Sequence, residues 1–183
     1  MNKKNKAIFL DRDGVINKEI NYLHKIEDFE FTPNCIDALK IMQSKGYLLF
    51  IITNQAGIGR GYYSEADFHH LNNWMLTTLQ QQGINITDVR FCPHHAEHGV
   101  GKYKIDCDCR KPKIGMLTPL IKKYNIDVKN SLLIGDKMSD INAGETAKIG
   151  TLILVNSGHP LPNKIPANVN AVFESLYQYA KTL

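Results

Sequence analysis

The chain has 183 residues, of which 43% are hydrophobic and 22% are charged, a balance typical of a globular protein with one core. Lysine and arginine number 22 against 18 for aspartate and glutamate, and this small excess forms no concentrated basic stripe of the kind that binds duplex nucleic acid. The longest apolar run, residues 47–52, is too short to span a bilayer, and the N-terminal segment lacks the pattern of a secretory signal. These features predict one domain over residues 1–183, in the cytoplasm, with no nucleic-acid or membrane partner.

Short apolar runs rich in isoleucine, leucine and phenylalanine predict buried strands, and apolar residues at helical spacing predict the helices between them. In chain order, the predicted elements are a strand at 7–10, a helix at 35–45, a strand at 47–52, a helix at 64–82, a strand at 89–91, a helix at 115–124, a strand at 132–134, a helix at 139–148, a strand at 152–155 and a helix at 176–182. Ser64 and Asp67 form the pattern of a capping box. The alternation predicts a three-layer, doubly wound α/β fold with a mostly parallel sheet.

Polar residues whose side chains can bind ligands or take part in catalysis follow the predicted strands. Asp11 and Asp13 follow the first strand, Thr53 and Asn54 the second, and Asp136 the fourth, while Lys111 precedes a helix. Each of these features alone is more often a turn or a cap. Because ligands bind at the carboxyl ends of parallel strands, the set in this order predicts one site.

The chemistry of this set favours phosphoryl transfer. Three converging carboxylates repel each other unless a hard cation such as Mg²⁺ binds between them. A carboxylate can act as a nucleophile and form an aspartyl-phosphate, and a second carboxylate can serve as general acid and base. A lysine and a threonine hydroxyl can stabilise the charge on the phosphoryl oxygens.

Three of the four cysteines lie close together in the chain. Cys92, His94, Cys107 and Cys109 supply three sulfurs and one imidazole, the donor set of a closed, structural Zn²⁺ site. Such a site would order the long loop at residues 91–110. His95 competes with His94 as the fourth ligand, and the alternative is a cluster of free thiols. The helical position of Cys35 predicts a place in the core instead.

The chain resembles the phosphatases of the haloacid-dehalogenase superfamily in four motifs: FLDRDG at 9–14, Thr53-Asn54, Lys111, and GDxxxD at 135–140. The resemblance implies that Asp11 is the nucleophile and Asp13 the general acid and base. It further implies that Asp11, the Asp13 carbonyl and Asp136 bind Mg²⁺, and that Thr53 and Lys111 hold the phosphoryl group. The short spacing between motifs leaves no room for a large cap domain.

Within that superfamily, the pattern CPHH…CDCRKP resembles two sister families, the D-glycero-D-manno-heptose 1,7-bisphosphate 7-phosphatases and the histidinol-phosphate phosphatases. Segments 13–22 and 53–62 resemble the heptose family more closely. This implies removal of the 7-phosphate on the route to ADP-heptose for lipopolysaccharide. The implied substrate contacts are Glu19, Ile20, Asn21, Tyr22, Thr53, Asn54, Gln55, Ala56, Arg60, Arg110, Lys111 and Lys137.

A bisphosphate needs positive charge beyond the transferred group, and Arg60, Arg110 and Lys137 are expected to supply it. A non-catalytic zinc-binding module is the alternative from another class, and its mark would be the loss of Asp11 or Asp13. We expect a monomer that acts on a small sugar phosphate. Either substitution, Lys111→Ala or Asp11→Asn, is expected to abolish turnover while folding stays intact.

Overall fold

The computed structural model describes residues 4–183, so the first three residues of the predicted domain and of the segment assessed for a secretory signal lie outside the described residues. Across residues 4–183 six strands form one sheet, in which every neighbouring pair is parallel and the order is β3-β2-β1-β4-β5-β6. The strands are β1 (Ala7–Leu10), β2 (Leu48–Asn54), β3 (Ile86–Cys92), β4 (Leu132–Gly135), β5 (Thr151–Val155) and β6 (Ala171–Phe173).

Helices cover both faces of this sheet. They are α1 (Cys35–Ser44), α2 (Ala56–Gly59), α3 (Glu65–Gln81), α4 (Leu117–Lys123), α5 (Met138–Thr146) and α6 (Leu176–Ala180). One apolar core joins α1, α3 and α6 to the sheet, and a second core joins α4 and α5 to the opposite face. The predicted three-layer α/β fold is therefore confirmed, and Cys35 is buried in the first core as expected.

Helix α3 begins as its sequence predicts. The backbone N–H of Asp67 donates to Oγ of Ser64 at 3.1 Å, and the backbone N–H of Ser64 donates to Oδ2 of Asp67 at 2.8 Å. This reciprocal pair satisfies donors that the first turn of a helix otherwise leaves open. The capping box is confirmed.

Two elements are absent from the sequence prediction. Strand β6 has only three residues, all half-buried at the edge of the sheet, so it lacks a strong apolar pattern. Helix α2 is a single turn with two glycines among its four residues, which disfavours a helix by intrinsic propensity. No helix within residues 4–183 has both the length and the apolar character needed to cross a bilayer.

The strand order creates a crevice at one edge of the sheet. The chain builds β1, β2 and β3 in one direction and then returns to place β4 on the other side of β1. Such a reversal of order opens a crevice at the carboxyl ends of the two central strands, where ligands bind. Asp11 follows β1 and Asp136 follows β4 at this point. The described residues contain no large cap domain over this edge.

Candidate active site

Three buried carboxylates meet at the crevice between β1 and β4. Oxygen atoms of Asp11, Asp136 and Asp140 all lie within 4.8 Å of one another. Asp140 belongs to the first turn of α5 and its Oδ2 accepts the backbone N–H of Lys137 at 3.1 Å. Because all three side chains are buried, their mutual repulsion is screened little by water.

Lys111 supplies the nearest positive charge. Its Nζ lies 3.1 Å from Oδ1 of Asp11 and 2.6 Å from Oδ1 of Asp140, and it donates to the carbonyl of Ile52 at 2.7 Å. Burial opposes the charged ammonium, but the two carboxylates outweigh burial and raise the pKa of Lys111. Lys111 is therefore a buried, permanently charged ammonium beside the predicted nucleophile.

The pKa of Asp11 is raised, chiefly by burial and further by the neighbouring carboxylates, although Lys111 lowers it. The pKa of Asp136 is also raised, again chiefly by burial, while its hydrogen bond with His159 lowers it. One cation is thus not enough to offset the negative charge gathered here. The arrangement favours a further positive charge.

The oxygen atoms present fit a hard divalent cation. Oδ1 of Asp136 is buried and has no hydrogen-bond partner among the described residues. Around the other oxygen, Oδ2, the chain leaves no space for side chains: a Cβ at Gly14 or Gly158 would lie 2.2 or 2.0 Å from it. Gly14 also has a positive φ of 82°, which an L side chain rarely adopts. A carboxylate cluster with an unpartnered oxygen is the donor set that Mg²⁺ prefers.

Asp13 has different surroundings from Asp11. Its carboxylate accepts hydrogen bonds from the buried Arg12 guanidinium at 2.9 Å, from the Asn17 amide at 2.9 Å and from the Gln55 amide at 2.9 Å. Burial alone would raise the pKa of Asp13, but Arg12 and these hydrogen bonds outweigh it and lower the pKa. The free protein therefore carries Asp13 as a carboxylate that faces the pocket.

A cavity of about 280 Å³ opens onto these groups. Its lining includes ten residues of the predicted substrate set: Glu19, Asn21, Tyr22, Asn54, Gln55, Ala56, Arg60, Arg110, Lys111 and Lys137. Two members of that set do not line it: Ile20, which is 48% exposed, and Thr53, which is buried and whose Oγ1 accepts from the Gln55 amide at 2.8 Å. The cavity also includes Tyr63, His95, Ser139 and His159.

The segment 19–22 approaches the cavity in a strained conformation. Asn21 and Tyr22 both have φ of 56°, in the left-handed region that side chains other than glycine seldom occupy. A hydrogen bond from the backbone N–H of Asn21 to Oε1 of Glu19, at 2.7 Å, holds the turn. Strain of this kind persists where the surrounding structure fixes it, and it clusters at ligand sites.

The cysteines form a second cluster beside the pocket. Sγ of Cys92 lies 3.4 Å from Sγ of Cys107 and 2.9 Å from Sγ of Cys109, and Nδ1 of His94 lies 3.4 Å from Sγ of Cys109. All four ligand atoms lie within 4.8 Å of one another, so the group can hold one metal ion. The structure includes His94 in this group, whereas Nδ1 of His95 accepts the backbone N–H groups of Glu97 and His98.

His159 has no motif in the sequence, yet it reaches the carboxylate cluster. Its Nδ1 lies 2.7 Å from Oδ2 of Asp136, and 4.0 Å from Oε2 of Glu19. The loop after β5 brings it there from 23 residues away in the chain. Asp140 was visible as the last residue of the GDxxxD motif, but its pairing with Lys111 required the fold.

A sequence model of the family described as "Polynucleotide kinase 3 phosphatase" matches residues 6–157. The chain is 55% identical over 157 residues to D-glycero-alpha-D-manno-heptose-1,7-bisphosphate 7-phosphatase of Photorhabdus laumondii, with 86% of each chain covered. It is 44% identical over 179 residues to D-glycero-beta-D-manno-heptose-1,7-bisphosphate 7-phosphatase of Haemophilus influenzae, with 98% of this chain and 97% of the relative covered.

A solved structure shares the fold along nearly the whole chain. It is the D,D-heptose 1.7-bisphosphate phosphatase of B. bronchiseptica complexed with magnesium and phosphate, with a TM-score of 0.80, 25% identity and 97% of both chains covered. Together with the curated relatives, this similarity extends along nearly the whole chain. The chain belongs to the D-glycero-D-manno-heptose 1,7-bisphosphate 7-phosphatase family, within the haloacid-dehalogenase superfamily of phosphatases.

Proposed function

We propose that this protein is a magnesium-dependent phosphatase that removes the 7-phosphate of D-glycero-D-manno-heptose 1,7-bisphosphate through an aspartyl-phosphate intermediate. The observation that carries the proposal is the buried group of Asp11, Asp136 and Lys111 in the crevice between β1 and β4. Family membership supports the substrate. The product would be a precursor of ADP-heptose for the lipopolysaccharide core.

In the first half-reaction, a carboxylate oxygen of Asp11 attacks the phosphorus of the 7-phosphate. The bond from phosphorus to the sugar oxygen breaks, and the phosphoryl group remains on Asp11. The Arg12 backbone N–H at 2.7 Å and the Lys111 ammonium at 3.1 Å hold Oδ1 of Asp11 and orient the carboxylate for this attack.

Asp13 has the role of general acid and then general base. A phosphate dianion that binds beside Asp13 raises its pKa, because like charges disfavour the ionised form, and Asp13 then brings the proton that the leaving alkoxide needs. In the second half-reaction, the Asp13 carboxylate accepts a proton from water as the water attacks phosphorus. The bond to Asp11 breaks and inorganic phosphate leaves.

Charge on the phosphoryl oxygens is offset by groups fixed in advance. The Lys111 ammonium and the Thr53 hydroxyl would donate to these oxygens. Asp11, the Asp13 carbonyl and Asp136 would hold Mg²⁺, and the bound cation supplies positive charge that offsets both the carboxylates and the phosphate. The unpartnered Oδ1 of Asp136 supports this assignment.

The second phosphate of the substrate needs its own recognition. Arg60 and Arg110 line the cavity, as does Lys137, the residue just before α5. The guanidinium groups suit bidentate hydrogen bonds to phosphate oxygens. The Arg110 side chain also donates to the carbonyl of His94 at 3.3 Å, which ties its position to the cysteine loop.

The test of this function is phosphate release with Mg²⁺ from heptose 1,7-bisphosphate and from histidinol phosphate at matched concentrations. The proposal predicts a kcat/KM at least about 100-fold higher for the heptose, equivalent to about 2.7 kcal/mol of transition-state binding. The α and β anomers are assayed separately, since relatives named for each anomer are similar to this chain. A preference for histidinol phosphate would overturn the substrate assignment and keep the chemistry of Asp11.

The cysteine cluster is part of the same proposal. We assign it to a structural Zn²⁺ ion, because three sulfurs and one imidazole complete a tetrahedral set and leave no open position. The ion would hold Cys109 in place. Because Arg110 and Lys111 directly follow Cys109 in the chain, the ion would also fix the position of these two residues at the pocket. Atomic absorption on the purified protein tests this, with one zinc per chain as the expected result.

The proposal also places the protein in the cytoplasm as a monomer. Thiols that must stay reduced to bind metal persist in a reducing compartment, and the four cysteines are free. A single chain contributes every group of the candidate site, so no second copy is needed to complete it. Light scattering should give a mass near the 20.7 kDa of one chain, and cell fractionation should recover the protein with cytoplasmic markers.

A further inference from the structure

Gln55 connects the candidate catalytic groups through its side-chain amide. Gln55 lines the cavity but is only 2% exposed, because its amide is held by other groups of the site. Its Nε2 donates to Oδ2 of Asp13 at 2.9 Å and to Oγ1 of Thr53 at 2.8 Å. Its Oε1 accepts from the hydroxyl of Tyr63 at 2.5 Å and from Nη2 of Arg12 at 3.4 Å.

The donors around Oε1 fix which way the amide points. A guanidinium can only donate, so Arg12 requires the amide oxygen on its side. The phenol of Tyr63 can donate or accept, and with the amide oxygen facing it the phenol donates its proton to Oε1. The amide nitrogen must then face Asp13 and Thr53. A reversed amide would present its oxygen to the Asp13 carboxylate, which is an acceptor as well.

This orientation determines the direction of the Thr53 hydroxyl. Because Gln55 donates to Oγ1 of Thr53, the hydroxyl hydrogen of Thr53 must point to another acceptor. Thr53 lies near the end of β2, next to the strand that leads to Asp11. A phosphoryl oxygen on Asp11 is the acceptor that the proposed reaction supplies.

The Tyr63 ring, which carries the hydroxyl that contacts Gln55, packs closely against its neighbours. The imidazole of His24 stacks on it with ring centroids 5.0 Å apart and an angle of 6° between planes. On another side, Gly57 leaves room for the ring, since a Cβ there would lie 2.2 Å from Cε1 of Tyr63. The position of the ring is thus set by packing against His24 and Gly57.

We propose that Tyr63 is a positioning residue of the phosphatase reaction, which orients the Gln55 amide and thereby the Thr53 hydroxyl and the Asp13 carboxylate. This inference rests on the proposed function. It assigns a role to a tyrosine outside the four motifs, and it adds to Gln55, expected from the sequence as a substrate contact, the role of a link between Tyr63, Thr53 and Asp13.

The first test compares Tyr63→Phe with the wild type on an aryl phosphate in saturating Mg²⁺. The substitution keeps the ring and removes the hydroxyl alone. We expect kcat to fall by about 10-fold, less than the loss of a direct transition-state donor, while KM rises no more than the dissociation constant of inorganic phosphate. Tyr124→Phe is the matched control, since the Tyr124 hydroxyl also donates to a side-chain oxygen, Oδ2 of Asp88 at 3.0 Å, outside the cavity. It should leave kcat unchanged.

A double-mutant cycle separates positioning from packing. If Tyr63 acts through Gln55, then Tyr63→Phe should cause no further loss of kcat in a Gln55→Ala background. Independent, multiplicative losses in the cycle would overturn the inference. Gln55→Glu gives a second measurement that preserves the shape, and its loss of the amide donor should lower kcat at least as much as Tyr63→Phe.

Inorganic phosphate provides a readout that does not depend on turnover. With Mg²⁺ present, the dissociation constant of phosphate, measured by calorimetric titration, should rise by about 10-fold in Tyr63→Phe, because the Thr53 hydroxyl is no longer directed to a phosphoryl oxygen. Unchanged kcat and unchanged phosphate affinity in a folded Tyr63→Phe protein would overturn this inference and leave the phosphatase assignment standing. A wild-type protein that releases no phosphate from any substrate would overturn both.

Discussion

Nδ1 of His159 lies 2.7 Å from Oδ2 of Asp136, the oxygen that Gly14 and Gly158 enclose. This hydrogen bond leaves Oδ1 of Asp136 as the oxygen without a described partner. A group that holds the second oxygen of a ligating carboxylate orients the first one toward the metal. By holding Oδ2, His159 would thus orient Oδ1 of Asp136 toward the proposed Mg²⁺ site.

We predict that His159→Ala weakens Mg²⁺ binding by about 10- to 100-fold, the usual cost of losing such a partner. The measurement is the Mg²⁺ concentration that gives half-maximal phosphate release, together with calorimetric titration of Mg²⁺ into the protein. The exposed His70 on α3 gives a control, His70→Ala, that should leave both values unchanged. Equal Mg²⁺ affinity in His159→Ala and the wild type would contradict the role.

Replacing Lys111 should cost stability as well as activity. In Lys111→Met the buried carboxylates of Asp11 and Asp140 lose the only ammonium that contacts them within residues 4–183, at 3.1 and 2.6 Å. Breaking one side of a buried ion pair costs about 3–5 kcal/mol, so urea denaturation should show a loss in that range. The sequence alone predicts that folding stays intact after replacement of Lys111. The buried ion pairs of the structure predict a loss of stability instead.

Lys113 provides the matched control for this substitution. Its Nζ lies 2.6 Å from Oδ1 of Asp106, but its side chain is 42% exposed. An exposed ion pair contributes about 1 kcal/mol or less, so Lys113→Met should leave the unfolding free energy nearly unchanged. Equal losses in the two variants would show that the burial of Lys111 does not govern its energetic role.

Stability without magnesium should fall as the pH rises. Burial, with the neighbouring carboxylates, raises the pKa of Asp11 from 3.8 to about 8. Between these values the folded protein binds more protons than the unfolded chain, and stability therefore decreases with increasing pH. The pKa of Asp13 is lowered, so Asp13 makes stability rise with increasing pH, but only at pH values below its ordinary pKa.

Magnesium should weaken this pH dependence, because the bound cation favours the ionised carboxylates. Thermal unfolding at pH 5, 6, 7 and 8, in magnesium-free buffer and in excess Mg²⁺, measures both curves. Other titrating groups contribute equally to the two series, so the difference between them isolates the site. Parallel curves would contradict the proposed link between the carboxylates and the metal.

The zinc assignment predicts a separate loss. Cys109→Ser should remove zinc and lower the melting temperature, because metal binding supplies folding free energy to the loop. Phosphate release should fall as well, since Arg110 and Lys111 follow Cys109 directly. Cys35→Ala is the control: Cys35 is buried in the core away from the cluster, and the variant should retain one zinc per chain. Full zinc content in Cys109→Ser would count against the assignment.

The sequence is sufficient to predict the central strands and the carboxylates that follow them. Apolar runs at β1 and β4 are unambiguous, and Asp11 and Asp136 come directly after them. His159 could not be found in this way, because only the loop after β5 brings it to Asp136. The orientation of the Gln55 amide could not be predicted from the sequence either, because it depends on hydrogen bonds from Tyr63 and Arg12.

The measurement that most directly tests the central claim is single-turnover phosphate release by Asp11→Asn. This substitution preserves the shape of the side chain, and Lys111 keeps its contact with Asp140, so the fold should remain intact. With Asp11 as the nucleophile, the rate should fall by at least about 1000-fold, or about 4 kcal/mol, while the exposed control Asp37→Asn retains the wild-type rate. Wild-type turnover in Asp11→Asn would contradict the aspartyl-phosphate mechanism.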